Sequence, residues 1–484
     1  MLRPRKAVLL ILTLMVGNSV FGGEYRPGEV IVKYKNGVVR ARSEVNALYD
    51  SIGVKSVHYY SGSMSGFEHL VLDDSAKVED AMEVLAGSNS VEYVQPNYIL
   101  HALPIQLVNA DRSDEEGIVK AQGTPCWFPG IQFPPGCDSD TPPSQPGNPD
   151  PTEPGAPDSP SNPGSPSTRP NLKMPPMDIV PAIVDPQLAK AYGLTKTHTI
   201  EAWDVSKGSK DVIVADIDTG IDYNHDDLAF NIWRNPKPTD KNDVVGFDFV
   251  HNDGLPFDDN EHGTHTAGTI GAVGGNGIGI SGVNQRVSLM SLKFLSGDGS
   301  GTTADAIRAI DYAINHGAKV LSNSWGGKGD PDNQALKDAI DRAKTKDVLF
   351  IAAAGNDGAD NDGSDADYPA AFDNDNLIAV AATDERDSLA FFSNYGKKST
   401  HLAAPGVNIY STIPGGKYAS LSGTSMACPH VAGGAALLWS MHPKWNYKKV
   451  KDVLMKTVDK IPALANKTIS GGRMNVLKAL NYTE

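Results

Sequence analysis

The sequence predicts an α/β fold, in which helices flank a parallel β-sheet on both faces and a small α+β domain precedes it. Two observations indicate the sheet. The region after about residue 180 contains near-continuous apolar runs, which are typical of parallel strands buried on both faces. Stretches with helical spacing lie between several of these runs, as in βαβ units. In addition, 40% of the 484 residues are hydrophobic, so the chain can build a substantial core.

The large α/β domain is expected over residues 181–484. Its predicted strands are "DVIVADID", "VSLMSLKFL", "AKVLSNSW", "VLFIAAAGN" and "LIAVAATD". Helices are predicted in "TTADAIRAIDYAINHG" and "DNQALKDAIDRAKTKD". Active groups of parallel sheets gather at the carboxyl ends of the strands, where Asp218 and Asn356 lie. We therefore expect the functional site at that edge of the sheet.

Three segments of different composition precede this domain. Residues 1–22 have a basic start, a short apolar stretch and a small-residue end, which is typical of a signal peptide and too short to span a bilayer. Residues 23–102 contain three strand-like segments, "GEVIVKYK", "FEHLVLDD" and "SVEYVQPNYIL", and the helical "AKVEDAMEVLAG". Residues 103–180 are predicted to be a linker, because proline fills eleven of the thirty positions 141–170 and such a stretch cannot bury apolar surface.

Charge and cysteine content fit an exported protein. The net charge of −15 argues against a nucleic-acid partner, which would require a basic face. Cys126 and Cys137 flank a short loop in the linker, and we expect a disulfide between them. Cys428 lies in an apolar helical run and is expected to be a buried core residue. The predicted location is extracellular, or periplasmic if the cell has an outer membrane, with no membrane association once the signal is removed.

The tripeptide Asp218-Thr219-Gly220 ends the first predicted strand of the large domain and allows two interpretations. An aspartic protease needs two such carboxylates that share one proton. The sequence has one such tripeptide, in a parallel α/β pattern, which argues against that interpretation. The other interpretation is the orienting carboxylate of a serine-protease triad, which requires a histidine and a serine elsewhere in the chain.

A histidine and a serine with suitable surroundings are both present. His262 begins a small-residue helix in "HGTHTAG", and Ser425 lies at the N-terminus of an apolar helix in "GTSMACPHVAGGAALL". A serine hydroxyl is a poor nucleophile until a base removes its proton, and the base needs a carboxylate to hold its tautomer. A helix N-terminus also points unpaired N–H groups outward, which suits a developing oxyanion.

Seven segments in this region are similar to those of subtilisin-like serine peptidases, the subtilases, and especially to the thermitase group. They are "VADIDTGIDYNHDDL", "HGTHTAG", "LSGDGSGT", "SNSWGG", "AAAGND", "LAAPG" and "GTSMACPHVAG". The order Asp, His, Ser is also that of subtilisin. The resemblance covers the chain from about residue 185 onward. It implies a monomeric serine endopeptidase in which Asp218 orients His262, Ser425 forms the acyl-enzyme, and Asn356 stabilises the oxyanion.

The resemblance also implies where protein or peptide substrates bind. Extended peptides pair with backbone strands in this family. The residues that match are Gly299, Ser300, Gly301, Ser324, Trp325 and Gly326, with Ala354 and Gly355 lining the pocket for the residue before the cleaved bond. The Trp325 side chain has two possible roles, as a wall of that pocket or as a core aromatic.

Calcium is the structural cofactor that the resemblance implies, and hard cations prefer loop oxygens. The segment "VGGNGIGI" resembles the strong calcium loop of the family. It would supply the carbonyls of Val273, Ile278 and Ile280 and the side chain of Asn276, with Asp185 and Asp227 as the carboxylates. A second, thermitase-type site is suggested by Asp248 and Asp253, where the match is partial.

Residues 23–102 resemble the inhibitory propeptides of subtilases, notably in "PGEVIVKYKNG" and "VEYVQPNYIL". The domain is then an intramolecular inhibitor and folding aid, with its tail in the active cleft. Cleavage is expected either near Ala102 or after the proline-rich stretch, around residues 170–185. An alternative is a catalytically silent subtilase-like binding or chaperone protein.

Two residues depart from the family pattern. Glu261 stands where subtilases commonly have glycine, and it would either raise the pKa of His262 or point to solvent. Asp216 occupies a position that is usually apolar, on the same strand face as Asp218.

Overall fold

A computed structural model describes residues 23–36, 42–60, 65–106, 172, 184–239, 241–328 and 331–483. The predicted signal peptide, most of the predicted linker and the predicted Cys126–Cys137 disulfide lie outside the described residues. Cys428 is a buried free thiol, as predicted. No helix in the described part of the chain is long and apolar enough to cross a bilayer.

The small domain, residues 23–102, pairs its strands antiparallel and packs two helices against them. Its elements are β1 (Tyr25–Tyr34), α1 (Arg42–Ser51), β2 (Val54–Tyr59), β3 (Phe67–Leu72), α2 (Val78–Ala86) and β4 (Val91–Ala102). Alternate residues of β1, such as Val30 and Val32, turn toward the helices and form a core with Leu70 and Leu85. The three predicted strands and the predicted helix are all present, and α1 and β2 are additional.

The large domain, residues 184–483, contains the remaining elements. Its strands are β5 (Gly208–Asp218), β6 (Gly246–Asp248), β7 (Arg286–Lys293), β8 (Ser300–Thr302), β9 (Val320–Asn323), β10 (Trp325–Lys328), β11 (Leu349–Ala353), β12 (Asp367–Tyr368), β13 (Leu377–Thr383), β14 (Leu402–Pro405), β15 (Ile409–Ile413), β16 (Lys417–Leu421), β17 (Asp459–Lys460) and β18 (Gly472–Arg473). Its helices are α3 (Tyr192–Lys196), α4 (Thr199–Ala202), α5 (His262–Gly271), α6 (Thr303–Asn315), α7 (Gln334–Thr345), α8 (Thr424–Met441), α9 (Tyr447–Lys456) and α10 (Val476–Leu480).

Nine strands of the large domain form the central sheet, in the order β17-β18-β14-β13-β11-β9-β5-β7-β6. Neighbouring strands from β6 to β18 pair parallel, as the sequence predicts. The edge strand β17 departs from the prediction, because it pairs antiparallel with β18. After β5, the chain adds β6 and β7 on one side of β5. It later adds β9 on the other side, so the strand order reverses at β5. In open α/β sheets such a reversal marks the crevice where ligands bind.

Helices cover both faces of the central sheet, which confirms the predicted fold class. One core joins α5 and α8 to the sheet through residues such as Val214 and Val431. The other joins α6 and α7 to the opposite face through residues such as Ile217 and Ile307. Because successive strand residues point to opposite faces, Asp216 and Asp218 share the α5 and α8 face with Val214.

The last strand of the small domain extends into the large domain. Beyond its pairing with β1, strand β4 pairs antiparallel with both β8 and β10. Leu100 lies opposite Gly301, and Ala102 lies opposite Trp325. The sheet of the small domain therefore continues through β4 into the large domain, in the order β12-β10-β4-β1-β3-β2.

Candidate active site

Asp218 and His262 meet at the carboxyl end of β5. Asp218 ends the strand and is fully buried, and His262 is the first residue of α5. Nδ1 of His262 lies 2.7 Å from Oδ1 of Asp218, which also accepts a hydrogen bond from the Thr219 backbone N–H. The bond places the imidazole proton on Nδ1 and leaves Nε2 as the atom that can accept a proton.

A second buried carboxylate, Asp258, holds the turn that leads into α5. Its Oδ1 accepts hydrogen bonds from the N–H groups of Asn260 and Glu261 and from the Thr219 hydroxyl. Its Oδ2 accepts from the backbone N–H and the hydroxyl of Thr264, at 2.8 and 2.6 Å. Asp258 therefore satisfies N–H groups at the helix start and ties them to the strand that carries Asp218.

Burial and charge act in opposite directions on His262. Burial lowers the pKa of its imidazole, but the charge and the hydrogen bond of Asp218, followed by the charge of Asp258, outweigh burial and raise the pKa above its ordinary value. The imidazolium is thus favoured more strongly than in water. A base at this position takes up a proton readily and is neutral only above its raised pKa.

Ser425 and Asn356 lie at the start of α8 and after β11. The Ser425 hydroxyl donates to the Ser324 carbonyl at 3.1 Å, and Nε2 of His262 has no hydrogen-bond partner among the described residues. Oδ1 of Asn356 accepts from the Thr424 N–H at 2.9 Å, which fixes the amide beside the first turn of α8. Its Nδ2 lies beside Gly423, the residue that precedes α8.

The tail that follows β4 crosses this site. The Ala102 N–H donates to the Gly299 carbonyl at 2.8 Å, and the Leu103 N–H donates to the Ser324 carbonyl at 3.3 Å. Nδ2 of Asn356 donates to the Pro104 carbonyl at 2.9 Å. Leu103 is buried while Pro104 is exposed. An extended segment of the chain therefore lies between β8 and β10, with its carbonyl on the Asn356 amide.

Comparison with known proteins identifies the family to which this fold belongs. The model of the Subtilase family (Peptidase_S8) matches residues 209–473, more than half of the chain. The chain belongs to the subtilase family. The model of the fervidolysin N-terminal prodomain matches residues 15–97. The protein is thus a subtilisin-like serine endopeptidase with an N-terminal prodomain.

Individual relatives agree with this assignment. The chain is 42% identical to the thermophilic serine proteinase of Bacillus sp. (strain AK1), over 60% of this chain and 67% of that protein. It is 40% identical to thermitase of Thermoactinomyces vulgaris, over 61% of this chain and 97% of thermitase. Subtilisin J of Geobacillus stearothermophilus is 39% identical, over 55% of this chain and 65% of that protein.

The predicted substrate-binding residues of this subtilase surround the tail. Ser300 and Gly301 in β8 and Trp325 and Gly326 in β10 pair with β4, and the Gly299 and Ser324 carbonyls accept from the tail. Of the two roles considered for the Trp325 side chain, the structure places it in the core. The indole N–H donates to the Ile217 carbonyl, and the ring packs edge-on against Phe294 and Phe350.

Ala354 and Gly355 follow β11 and lead to Asn356. Ala354 is buried, and its N–H donates to the Val380 carbonyl. The Gly355 N–H donates to the Thr424 hydroxyl, and Gly355 has a φ of +111°, which a side chain would strain. A Cβ at Gly355 would also clash with the Asp367 carboxylate. Glycine is therefore required where the chain turns toward the site.

The first predicted calcium loop brings two buried carboxylates together. Asp227 accepts hydrogen bonds from the side chain of Asn276 and the N–H of Ile280. Asp185 accepts from the N–H groups of Gly275, Asn276 and Gly277. Burial, and to a smaller degree the charge of Asp185, raise the pKa of Asp227 to about 7. Two buried carboxylates from separate segments thus meet at the loop 273–280, and carboxylate and amide oxygens are donors that fit a hard cation.

The carboxylates of the second predicted calcium site already have protein partners. Oδ1 of Asp248 accepts from the His251 N–H and its Oδ2 lies 2.9 Å from His251 Nδ1, while Oδ1 of Asp253 accepts from the Leu255 N–H. The two residues are joined by backbone hydrogen bonds at 2.8 and 3.0 Å. Both carboxylates therefore stabilise turns through these contacts. The second calcium site stays a prediction.

His265 and His430, near the site, pack in the interior. Nε2 of His265 donates to the Ile409 carbonyl, and Nδ1 of His430 donates to the Met426 carbonyl. Burial lowers the pKa of His265 to about 3 and that of His430 to about 4. Both rings are therefore neutral at ordinary pH and available to neither proton transfer nor charge pairing.

Sequence reasoning missed Asp258, and it expected the tail of the small domain in the active cleft but ended that domain at Ala102. Asp258 stands in "PFDDNEHGTH" four residues before His262, and an aspartate ahead of a helix is a capping signal. Residues 103–106 were assigned to the linker, yet they contact Ser324, Asn356 and Ser422. The signal available there was the extended, partly apolar continuation of β4.

Proposed function

We propose that this subtilase is a secreted serine endopeptidase made as a self-processing zymogen, in which Asp218, His262 and Ser425 form the catalytic triad. The observation that carries the proposal is the 2.7 Å bond between the buried Asp218 and His262, at the same edge of the sheet as Ser425 and Asn356. Nε2 of His262 would take the proton of Ser425 as the hydroxyl attacks a peptide carbonyl. The same proton then passes to the leaving amine.

The charge that develops on the attacked carbonyl needs donors already in position. Nδ2 of Asn356 is oriented by the bond between its Oδ1 and the Thr424 N–H. The first N–H groups of α8 supply further donors and the positive end of the helix dipole. Substrates would be extended protein or peptide segments that enter between β8 and β10, as the tail does.

The rival proposal, a catalytically silent binding or chaperone protein, is tested by one substitution. The Ser425→Ala variant should hydrolyse casein at least a thousandfold more slowly than the wild type, because the nucleophile is lost. The Ser422→Ala variant is the matched control, since Ser422 bonds Asn408 and should leave activity unchanged. Equal casein hydrolysis by wild type and Ser425→Ala would reject the proposal.

The small domain would act as the intramolecular inhibitor, and its tail supports this role. Residues 99–102 pair with β8 and β10, where we propose that substrates bind, and the Pro104 carbonyl occupies the Asn356 amide. The Ser425 hydroxyl meanwhile donates to Ser324. In this state the proposed nucleophile and oxyanion donor are both engaged by other groups.

The tail also bears on where self-processing would cut. Leu103 is the buried side chain at the site, so the bond presented after it is Leu103–Pro104. The nitrogen of that bond belongs to proline, whose ring replaces the N–H and crowds the preceding residue. The Asn356 amide holds the next carbonyl, that of Pro104, and not the Leu103 carbonyl. Of the two expected regions, we therefore favour cleavage around residues 170–185 over cleavage near Ala102.

Replacement of Pro104 tests this choice of bond. N-terminal sequencing of the mature wild-type enzyme should find a start well after Gln106. The Pro104→Ala variant should yield an additional cut after Leu103, because the ring that protects the bond is gone. Ile105→Ala is the matched control and should be processed like the wild type. A wild-type product that begins at Pro104 or Ile105 would contradict the proposal.

Calcium is proposed as the structural cofactor, at the loop that includes Asp185 and Asp227. The side chain of Asn276 and the carbonyls of Val273, Ile278 and Ile280 would complete the ligand set. The bound ion would offset the repulsion between two buried carboxylates and so stabilise the loop that joins α5 to β7. We further propose a monomer that acts outside the cytoplasm, with no nucleic-acid or membrane partner.

A further inference from the structure

Asp216 is a buried carboxyl group that the proposed triad does not use. It lies on β5 two residues before Asp218 and is 1% exposed. Its Oδ1 has no hydrogen-bond partner among the described residues. An ionised carboxylate that is 1% exposed would be costly, because burial removes the solvation that stabilises its charge.

The surroundings of Asp216 are hydroxyl groups and acids. Thr266 of α5 faces it. Ser322 of β9 and Ser291 of β7 lie opposite it on the two neighbouring strands. The titratable groups that act on it are Asp218 on its own strand and Asp258 before α5, and the thiol of Cys428 approaches from α8. Burial, followed by the charge of Asp218, raises the pKa of Asp216 well above its ordinary value.

The two contacts of Thr266 are compatible with a proton on Asp216. Thr266 Oγ1 lies 2.9 Å from Oδ2 of Asp216 and 2.9 Å from the carbonyl oxygen of Gly263. A hydroxyl has one hydrogen to donate, and a carbonyl oxygen can only accept. When Thr266 donates to Gly263, the contact with Asp216 is a hydrogen bond only if Asp216 carries a proton and donates it.

We propose that Asp216 is a positioning residue that is kept as a neutral carboxylic acid. It donates to Thr266, which donates to the carbonyl of Gly263, the residue that follows His262. The two bonds fasten the first turn of α5 to the strand that carries Asp218, and so fix His262 relative to Asp218. The proposal rests on the proposed roles of Asp218 and His262.

Four variants separate this role from a general loss of packing. Asp216→Asn keeps a donor toward Thr266 and should retain kcat within about threefold of the wild type. Asp216→Val and Thr266→Val each break the chain of hydrogen bonds and should lower kcat about threefold to tenfold, with KM unchanged. The double Val variant should lose no more than either single variant, because both remove the same linkage. Wild-type kcat in Asp216→Val, or additive losses, would overturn the positioning role.

The charge state is tested by the pH profile of kcat/KM. If Asp216 is neutral, Asp216→Asn leaves the acid limb, which reports His262, where the wild type has it. If Asp216 is ionised, removal of its negative charge lowers the pKa of His262 and shifts the acid limb to lower pH. Such a shift would overturn the proposal.

Infrared spectroscopy tests the protonation of Asp216 without catalysis, so it also applies to variants that fold poorly or have low activity. In the Ser425→Ala background, Asp216→Asn should remove part of the infrared absorption of protonated carboxylic acids at neutral pH, and the remainder comes from other acids such as Asp227. Equal absorption in the two proteins would overturn the protonation of Asp216. This readout does not depend on turnover, so it distinguishes failure of this proposal from failure of the proposed function, which active Ser425→Ala would reveal.

Discussion

Glu261 has a φ of +113°, a backbone conformation that residues with a Cβ rarely adopt. The conformation is imposed by the turn between Asp258 and His262, because the Asp258 carboxylate bonds two N–H groups there. The Glu261 side chain is exposed, and the charges that raise the pKa of His262 come from Asp218 and Asp258. Of the two alternatives predicted for Glu261, the structure thus supports the one in which it points to solvent.

Glycine at position 261 should stabilise the protein. Glu261→Gly removes backbone strain of roughly 1–3 kcal/mol, offset in part by the greater freedom of glycine in the unfolded chain. We expect a net gain of about 1 kcal/mol, seen as a higher melting temperature in the Ser425→Ala background.

Glu261→Ala is the matched control for this prediction, because it removes the carboxylate but keeps the Cβ. It should show no gain in melting temperature. Neither variant should move the acid limb of the pH profile, since Glu261 does not set the pKa of His262. A gain in Glu261→Ala equal to that in Glu261→Gly would mean that charge, and not strain, is the cause.

At the scale of elements, the helices α6 and α7 receive N-terminal caps from the small domain. Oδ1 of Asn97 accepts from the Ala304 N–H at 2.9 Å, and Oε1 of Gln95 accepts from the Ala335 N–H at 2.8 Å. Gln95 also donates to the side chain of Asn333. The N-terminal N–H groups of a helix need such acceptors, so β4 contributes to helices of the large domain as well as to its strands.

Loss of the Gln95 hydrogen bonds to α7 should weaken the binding of the small domain to the large domain. Gln95→Ala leaves a buried N–H and the Asn333 side chain with fewer partners, at a cost of about 1–2 kcal/mol. The full-length zymogen should therefore reach casein-hydrolysing activity about fivefold sooner. Glu92→Ala is the control on the same strand, because its 3.9 Å ion pair with Lys33 is partly exposed and should contribute little. Unchanged activation of Gln95→Ala would contradict the capping role.

At the scale of the whole molecule, stability is expected to depend on calcium. Removal of the ion by a chelator should lower the melting temperature of the Ser425→Ala protein by several degrees, because Asp185 and Asp227 would remain as uncompensated neighbours. Asp227→Asn should melt at the same temperature with and without chelator. Asp253→Asn, at the second predicted site, should keep the wild-type response. Identical melting of the wild type in both conditions would reject the calcium proposal.

Much of this arrangement follows from the sequence, because it depends on local patterns. Apolar runs with intervening helical spacing determined the parallel sheet, since buried strands and amphipathic helices each require those residues. The tripeptide at Asp218 and the helix starts at His262 and Ser425 are also local patterns, and they indicated the edge of the sheet where the site lies. The antiparallel pairing of β17 was not predicted, because a two-residue strand has no readable pattern.

Only the tertiary structure decided how groups distant in sequence meet. It placed Trp325 in the core, Glu261 in solvent, and Asp258 beneath the start of α5. It also set Leu103 and Pro104 across the site and gave Asp216 a partner fifty residues away in Thr266. These outcomes depend on burial and on hydrogen-bond partners from other elements, and neither is encoded in the residues on either side of a position.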